Sequence, residues 1–276
     1  MSTETLLNRC AVIGNPIAHS LSPQIHQQFA VKFDMTIDYQ RIVATEDNFT
    51  EIVQRFFAAG GRGLNITAPF KQRAFSLCDH TCSMSEAAQS CNTLYMSEGK
   101  LVGTTTDGGG WLDDIQRLGF DFNDKSILLL GAGGANRILY HTLLEKMDLL
   151  QPKAIVWANR SIERLDDQPN HPVVTKVALN EIPDTRFDLI INGISVGLHS
   201  EFPSLAVTLD SGTLIYDLNY GPGAKAFHRW ASNCGASADN CIDGWGMLVN
   251  QAARSFAIWW GKSPATATLI KQGINL

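Results

Sequence analysis

The sequence predicts an α/β protein made of two α/β lobes. The length and composition of the chain, a glycine-rich turn and the alternation of apolar segments lead to this prediction. The chain has 276 residues, of which 45% are hydrophobic, and the glycine-rich turn lies near its middle. Short apolar runs typical of strands alternate along it with segments that place apolar residues at helical spacing. A chain of this length exceeds the usual size of a single core, so we expect two domains.

The first lobe is predicted from alternating strands and helices. Residues 11–13, 39–43 and 64–67 are segments of strand length rich in β-branched, aromatic and other apolar residues, and residues 92–95 and 101–102 indicate a hairpin. Ser22 and Pro23 combine a hydroxyl cap with a proline in the first turn, which favours the start of a helix. A second helix is expected where apolar residues recur on one face between Phe49 and Phe56.

The second lobe is predicted to start near the three glycines 108–110, which interrupt the pattern before a helix that carries Trp111. Segments dominated by apolar residues at 127–130, 187–191 and 213–217 are typical of buried parallel strands. A final helix from Met247 to about Trp260 is expected to return to the first lobe. The predicted domains are therefore residues 1–108 plus about 247–276, and residues 109–246, with a ligand cleft between them.

A glycine-rich turn follows the strand at 127–130 and precedes a helical segment. In such strand, turn and helix units, glycines let backbone N–H groups approach a pyrophosphate at the helix N-terminus. We therefore predict that the second lobe is a Rossmann-type dinucleotide-binding domain. Asn136 occupies the position where Gly or Ala would pack most closely, so an ordinary connection is the alternative. The residues of the predicted turn are Gly131, Ala132, Gly133, Gly134 and Ala135.

The end of the next strand indicates which dinucleotide binds. A carboxylate there would accept hydrogen bonds from a free ribose hydroxyl, whereas this chain has Asn159, Arg160 and, further on, Arg164. Arginines suit a 2′-phosphate, so NADP is favoured over NAD. The alternative is that both arginines belong to a solvated helix start.

Composition restricts the partners. The formal charge is −5, from 27 acidic and 22 basic residues without a basic cluster, which argues against nucleic acid and anionic membranes and favours a small-molecule substrate.

No apolar run has the length of a membrane span and the N-terminus lacks the pattern of a secretion signal, so a cytoplasmic location is expected. The six cysteines form no CxxC pair, and Cys78, His80 and Cys82 lack a second ligand pair, so no metal site is predicted.

Polar residues of the first lobe collect where strands are predicted to end. Ser20 and Ser22 follow the first strand, Thr67 and Lys71 follow the third, and Asn92 and Asp107 lie in later turns. Open sheets present functional groups at such positions.

Seven segments of the chain resemble, in order, those of the shikimate dehydrogenase family, and the resemblance extends over nearly the whole length. Together in this order they are highly specific. They are residues 14–23 (GNPIAHSLSP), 65–71 (NITAPFK), 92–94 (NTL), 106–108 (TDG), 131–135 (GAGGA), 159–161 (NRS) and 243–252 (DGWGMLVNQA).

The resemblance implies reversible NADPH-dependent reduction of 3-dehydroshikimate to shikimate, a step toward chorismate and the aromatic amino acids. It implies that Lys71 and Asp107 are the catalytic pair. The implied substrate-binding residues are Ser20, Ser22, Thr67, Asn92, Asp107, Tyr220 and Gln251. The implied cofactor-binding residues are those of the glycine turn together with Asn159, Arg160, Ser161, Arg164, Ser195, Leu218 and Gly244.

The chemistry of these residue types agrees with that reaction. Hydride delivery to a ketone leaves negative charge on its oxygen, and the ammonium of Lys71 can supply a proton there. A neighbouring carboxylate favours the protonated lysine, so we expect proton donation rather than free base behaviour. The hydroxyls of Ser20, Ser22 and Tyr220 could hold the substrate carboxylate.

Departures from the family pattern keep alternatives open. Thr104 and Thr105 stand where members usually have Asp and Asn. A related enzyme that also oxidises quinate or prefers NAD, and a catalytically idle NADP sensor, are the alternative functions. Taken singly, Ser22 and Asp107 could simply cap helices. The chain is expected to be a monomer or a homodimer.

Overall fold

The computed structural model describes residues 8–194, 196 and 201–274. The chain divides into two compact units: the first comprises residues up to Asp113 and from Leu248 onward, and the second is Asp114–Met247. Each unit contains its own six-stranded sheet with helices. The α/β class predicted from the sequence is confirmed.

The sheet of the first unit is mixed, with strand order β2-β1-β3-β5-β6-β4. Strands β1, β2 and β3 are mutually parallel, β5 runs antiparallel to both β3 and β6, and β4 is parallel to β6. The predicted hairpin is therefore formed by β5 and β6. The bounds are β1 Arg9–Gly14, β2 Asp38–Val43, β3 Gly63–Ile66, β4 His80–Thr81, β5 Thr93–Ser97 and β6 Lys100–Thr104.

The sheet of the second unit is entirely parallel, with order β12-β11-β10-β7-β8-β9. Counted from β7, this is the doubly wound order of dinucleotide-binding folds, in which all carboxyl ends of the strands meet at one edge. The bounds are β7 Ser126–Leu130, β8 Ala154–Asn159, β9 Val174–Ala178, β10 Leu189–Asn192, β11 Leu214–Asp217 and β12 Cys241–Ile242.

Ten α-helices lie within the described residues, with short 3-10 turns between some of them. None of these helices is long and apolar enough to cross a membrane. The bounds are α1 Ser22–Val31, α2 Phe49–Ala58, α3 Lys71–Leu77, α4 Ser83–Ala88, α5 Asp107–Arg117, α6 Gly134–Glu145, α7 Met147–Leu150, α8 Lys225–Asn233, α9 Trp245–Trp260 and α10 Ala267–Gln272.

Both faces of the first sheet are covered. Along β1, alternate residues face opposite sides: Ile13 packs with Phe49 and Val53 of α2, whereas Val12 packs with Trp259 of α9. Because α9 lies against the sheet in this way, its side chains enter the first unit's core.

The glycines 108–110 do not precede a helix, as the sequence predicted, but lie inside the first turn of α5, which begins at Asp107. The reason is a close approach of two helices. A Cβ atom on Gly110 would lie 2.5 Å from the backbone nitrogen of Gln251 in α9. Only a residue without a side chain lets α5 and α9 meet at this distance.

We expect Gly110→Ala to destabilise the protein by about 1 to 3 kcal/mol, because the added methyl group overlaps helix backbone that cannot move aside. Gly109→Ala is the matched control. Its Cβ would meet the guanidinium of Arg254 at 2.7 Å, the end of a flexible side chain. Urea unfolding of both variants checks the prediction, and equal losses of stability would contradict it.

Candidate active site

The predicted site residues of the first unit lie at one edge of its sheet. Because β5 is antiparallel to β3 and β6, the start of β5 lies beside the ends of the other two strands. Thr67 follows β3, Asn92 precedes β5, and Asp107 follows β6 after two residues. The strand directions thus bring together side chains that are far apart in the sequence.

Lys71 and Asp107 form an ion pair at this edge. The Nζ atom of Lys71 lies 2.5 Å from Oδ2 of Asp107, and the two side chains are 22% and 6% exposed. Each is the first residue of its helix, α3 and α5. The dipole of a helix favours an anion at this end and disfavours a cation, so Asp107 stabilises the ammonium against the dipole of α3.

Asn92 holds the other oxygen of the carboxylate. Its Oδ1 accepts a hydrogen bond from the backbone N–H of Thr106 at 2.8 Å, which fixes the orientation of the amide because that group can only donate. The Nδ2 atom therefore faces Asp107 and donates to its Oδ1 at 2.7 Å. Both oxygens of Asp107 are thus bound by donors, which fixes the carboxyl group in one orientation.

Gln251 completes this group from α9. Its Nε2 donates to the carbonyl oxygen of Leu248 at 2.8 Å, so its Oε1 faces Asn92 and accepts from Nδ2 at 3.2 Å. The structure therefore joins four of the predicted residues, Lys71, Asn92, Asp107 and Gln251, by direct hydrogen bonds.

The two serines form a separate pair. The hydroxyls of Ser20 and Ser22 lie 3.2 Å apart, and Ser22 is within hydrogen-bonding reach of Tyr39. Thr67 donates its backbone N–H to Ile13 at 2.9 Å. Within the described residues, no hydrogen bond joins these three predicted residues to Lys71.

Thr105, which replaces an amide of the family pattern, has a buried hydroxyl oxygen that finds no hydrogen-bond partner among the described residues. A buried, unpaired hydroxyl is energetically costly.

In the second unit, the glycine turn leaves β7 with Gly131 in the left-handed region, at φ +100°. A Cβ atom on Gly133 or Gly134 would meet no other atom of the described residues closer than 4.0 Å, so among these residues nothing covers the start of α6. An anionic group can approach the backbone N–H groups there.

Asn136 supports this turn, a role that the sequence pattern did not reveal. Its Nδ2 donates to the carbonyl oxygens of Leu130 at 2.5 Å and Gly131 at 2.8 Å. The indole N–H of Trp157 donates to the same Gly131 oxygen at 2.7 Å. The asparagine therefore supplies hydrogen bonds that a glycine or alanine could not, which accounts for the departure from the usual motif.

The arginines predicted to select the cofactor lie just beyond β8. Asn159 ends that strand and donates from Nδ2 to the carbonyl oxygen of Ser161 at 2.8 Å. Arg160 and Arg164 are exposed, and neither forms an ion pair within the part of the chain that the structure describes. Arg137, to which the sequence pattern assigned no role, donates to the backbone oxygen of Arg164 at 2.8 Å and so contacts the segment that carries both arginines.

The remaining predicted residues of the second unit follow β11 and β12. The backbone N–H of Leu218 donates to Asn192 at 2.8 Å, and Gly244 donates to Asn219 at 2.9 Å. Tyr220 lies between them in the chain. Ser195 falls outside the described residues.

Asp217 lies at the centre of these loops. Its Oδ1 accepts from Nδ2 of Asn192 at 3.1 Å and from the backbone N–H and the side chain of Asn219 at 2.9 and 2.8 Å. Burial raises its pKa from 3.8 to about 6, and Asp243 nearby adds to that effect. Its Oδ2 atom is buried without a hydrogen-bond partner in the described chain.

We expect Asp217→Asn to become progressively more stable relative to the wild type as the pH rises from about 4 to about 7. The folded wild type holds its proton up to a pKa of about 6, whereas the unfolded chain loses it near 3.8, so this carboxyl contributes stability at low pH that is lost on ionisation. The stability difference between the variant and the wild type should change by about 3 kcal/mol between acid and neutral pH.

Thermal or urea unfolding across this pH range measures the effect. Asp166→Asn, which removes an exposed negative charge from the same unit, is the matched control. A stability difference between Asp217→Asn and the wild type that does not change with pH would contradict the prediction.

Comparison with known proteins places the chain in a family. The family models for the shikimate dehydrogenase substrate binding domain and the shikimate 5'-dehydrogenase C-terminal domain match residues 12–94 and 244–272. The NADP(+) shikimate dehydrogenase of Halorhodospira halophila is 41% identical over 95% of this chain and 96% of its own.

Solved structures agree over the whole chain. The Ael1 enzyme of Pseudomonas putida superposes with a TM-score of 0.84 at 35% identity, covering 98% of this chain and 99% of its own. The shikimate 5-dehydrogenase of Thermus thermophilus in complex with NADP(H) and shikimate superposes with a TM-score of 0.78 at 27% identity, covering 95% and 97%. The chain belongs to the shikimate dehydrogenase family.

Proposed function

We propose that this enzyme catalyses the reversible, NADPH-dependent reduction of 3-dehydroshikimate to shikimate in aromatic amino acid biosynthesis. The observation that carries the proposal is the Lys71–Asp107 ion pair, held at 2.5 Å at the sheet edge of the first unit. The activity of the Halorhodospira halophila relative, named for shikimate and NADP(+), supports it. The first unit is assigned to the substrate and the second to NADP.

When bound to the second unit, NADPH would supply the hydride that reduces the carbonyl carbon of the substrate. Negative charge then develops on the carbonyl oxygen, and the ammonium of Lys71 stabilises it and donates a proton to it. In the oxidising direction, the same nitrogen takes the proton back. The 22% exposure of the lysine side chain leaves it accessible to a ligand.

Asp107 orients the lysine rather than abstracting a proton. Its Oδ2 is bound by Lys71 and its Oδ1 by Asn92, so the carboxylate keeps the Lys71 nitrogen in place while that nitrogen gives up or takes back its proton. Asn92 and Gln251 are assigned to hydroxyls of the substrate ring. Ser20, Ser22 and Tyr220 are assigned to the substrate carboxylate, and Thr67 is assigned to the substrate as well.

The second unit fits NADP. The open start of α6 suits the pyrophosphate, and the exposed guanidinium groups of Arg160 and Arg164 are available for a 2′-phosphate. Ser161, Leu218 and Gly244 lie at the carboxyl edge of the same sheet and are assigned to the cofactor too. A cytoplasmic location and a monomeric or homodimeric state remain predictions from the sequence.

We expect Lys71→Ala to lower kcat about 100- to 10,000-fold, because a positioned proton donor contributes a factor of this size. The Kd for NADPH should change little, since the residues assigned to the cofactor belong to the other unit. Steady-state rates with 3-dehydroshikimate and fluorescence titration with NADPH check both statements. Lys100→Ala, at an exposed lysine of the same unit, is the control. Retained turnover, or a parallel loss of NADPH binding, would contradict the assignment.

We expect the double variant Arg160→Ala and Arg164→Ala to lower kcat/KM for NADPH about 10- to 100-fold, because hydrogen bonds to a charged phosphate contribute about 1.5 to 3 kcal/mol. The value for NADH should remain nearly unchanged. Rates with both cofactors measure the selectivity, with Arg229→Ala as an exposed-arginine control in the same unit. Equal decreases in kcat/KM for NADPH and for NADH would show that the arginines do not bind the 2′-phosphate.

A further inference from the structure

Ser255 connects four segments of the first unit from a fully buried position. It lies on α9 with no exposed surface. Its Oγ lies 2.9 Å from Nδ2 of Asn65, 2.8 Å from Oγ1 of Thr93 and 3.3 Å from Oγ1 of Thr106. It also donates to the carbonyl oxygen of Gln251, one turn earlier on its own helix, at 3.1 Å.

Each of these partners adjoins a residue of the proposed substrate site. Thr93 follows Asn92 in the chain, and Thr106 precedes Asp107. The Nδ2 atom of Asn65 also donates to the backbone oxygen of Asn92, at 3.2 Å. The hydroxyl of Ser255 thus contacts residues that adjoin or bind Asn92, Asp107 and Gln251, the three polar residues grouped with Lys71.

The direction of two of these hydrogen bonds is fixed. The backbone oxygen of Asn92 can only accept, so the Nδ2 atom of Asn65 faces it and Ser255, and the Oδ1 atom of Asn65 accepts from the hydroxyl of Tyr39 at 2.7 Å. Ser255 accepts from Asn65 and donates to the carbonyl oxygen of Gln251. An alanine at this position would leave these buried donors and acceptors with fewer partners, which costs free energy.

We propose that Ser255 is a positioning residue of the active site, which holds α9 in register with β3, β5 and the start of α5 so that Asn92, Asp107 and Gln251 present fixed geometry to the substrate. The inference rests on the proposed function of that site. Ser255 is buried beneath these residues and acts through them. The contact of Gly110 with the Gln251 backbone sets how closely the helices approach, and Ser255 sets how α9 lies along the strands.

The test compares Ser255→Ala with Ser85→Ala. Ser85 is equally buried, lies in the same unit, and bonds Cys82 rather than the Ser255 group. For Ser255→Ala we expect kcat/KM for 3-dehydroshikimate to fall about tenfold, equivalent to about 1.4 kcal/mol, through a higher KM for this substrate and a lower kcat. The KM for NADPH should stay unchanged. For Ser85→Ala, kcat/KM should match the wild type.

Comparing the KM for 3-dehydroshikimate with the KM for NADPH distinguishes a positioning role from a loss of folded protein. A loss of folded protein would lower the apparent kcat and leave both KM values unchanged. Ser255→Cys, which keeps a weak donor at the same place, should fall between alanine and wild type, and it serves as the second variant if alanine does not fold. Wild-type kinetics in Ser255→Ala, or equal effects of the Ser255 and Ser85 variants, would overturn the positioning role alone. A wild-type protein without turnover of 3-dehydroshikimate would overturn the proposed function together with this inference.

Discussion

The carboxylate of Asp107 is the constraint on which the substrate site depends. One oxygen binds the ammonium of Lys71 and the other binds the amide of Asn92, whose orientation is fixed by a backbone N–H. A carboxylate bound in this way at the start of a helix keeps a fixed position and orientation. The lysine beside it is therefore held as a proton donor at one point of the sheet edge.

Strand direction explains why the sequence could predict which side chains meet at the sheet edge that carries Lys71 and Asp107. Polar residues that follow or precede short apolar runs can be located from the pattern alone, and parallel strands bring their ends together. Lys71, Asn92 and Asp107 could be predicted as neighbours on these grounds. Their grouping with Gln251, which is about 140 residues further along the chain, came from the family resemblance and not from any local pattern.

Other features depend on contacts between elements that are distant in the sequence. The glycines at 109 and 110 look like a loop, but they allow α5 to lie against α9. Asn136 looks like a weakened motif, yet it holds the glycine turn through two carbonyl oxygens. Ser255 has no sequence signal beyond a small polar residue in an apolar helix, because its importance lies in partners from three other segments.

A crystal structure with bound shikimate would show whether Lys71 is placed to act as the proton donor. We expect the hydroxyl that oxidation converts to the ketone to lie within about 3.2 Å of the Lys71 nitrogen, with the Lys71–Asp107 pair intact. A complex in which that hydroxyl faces away from Lys71, or in which the ammonium has left Asp107 for another partner, would contradict it.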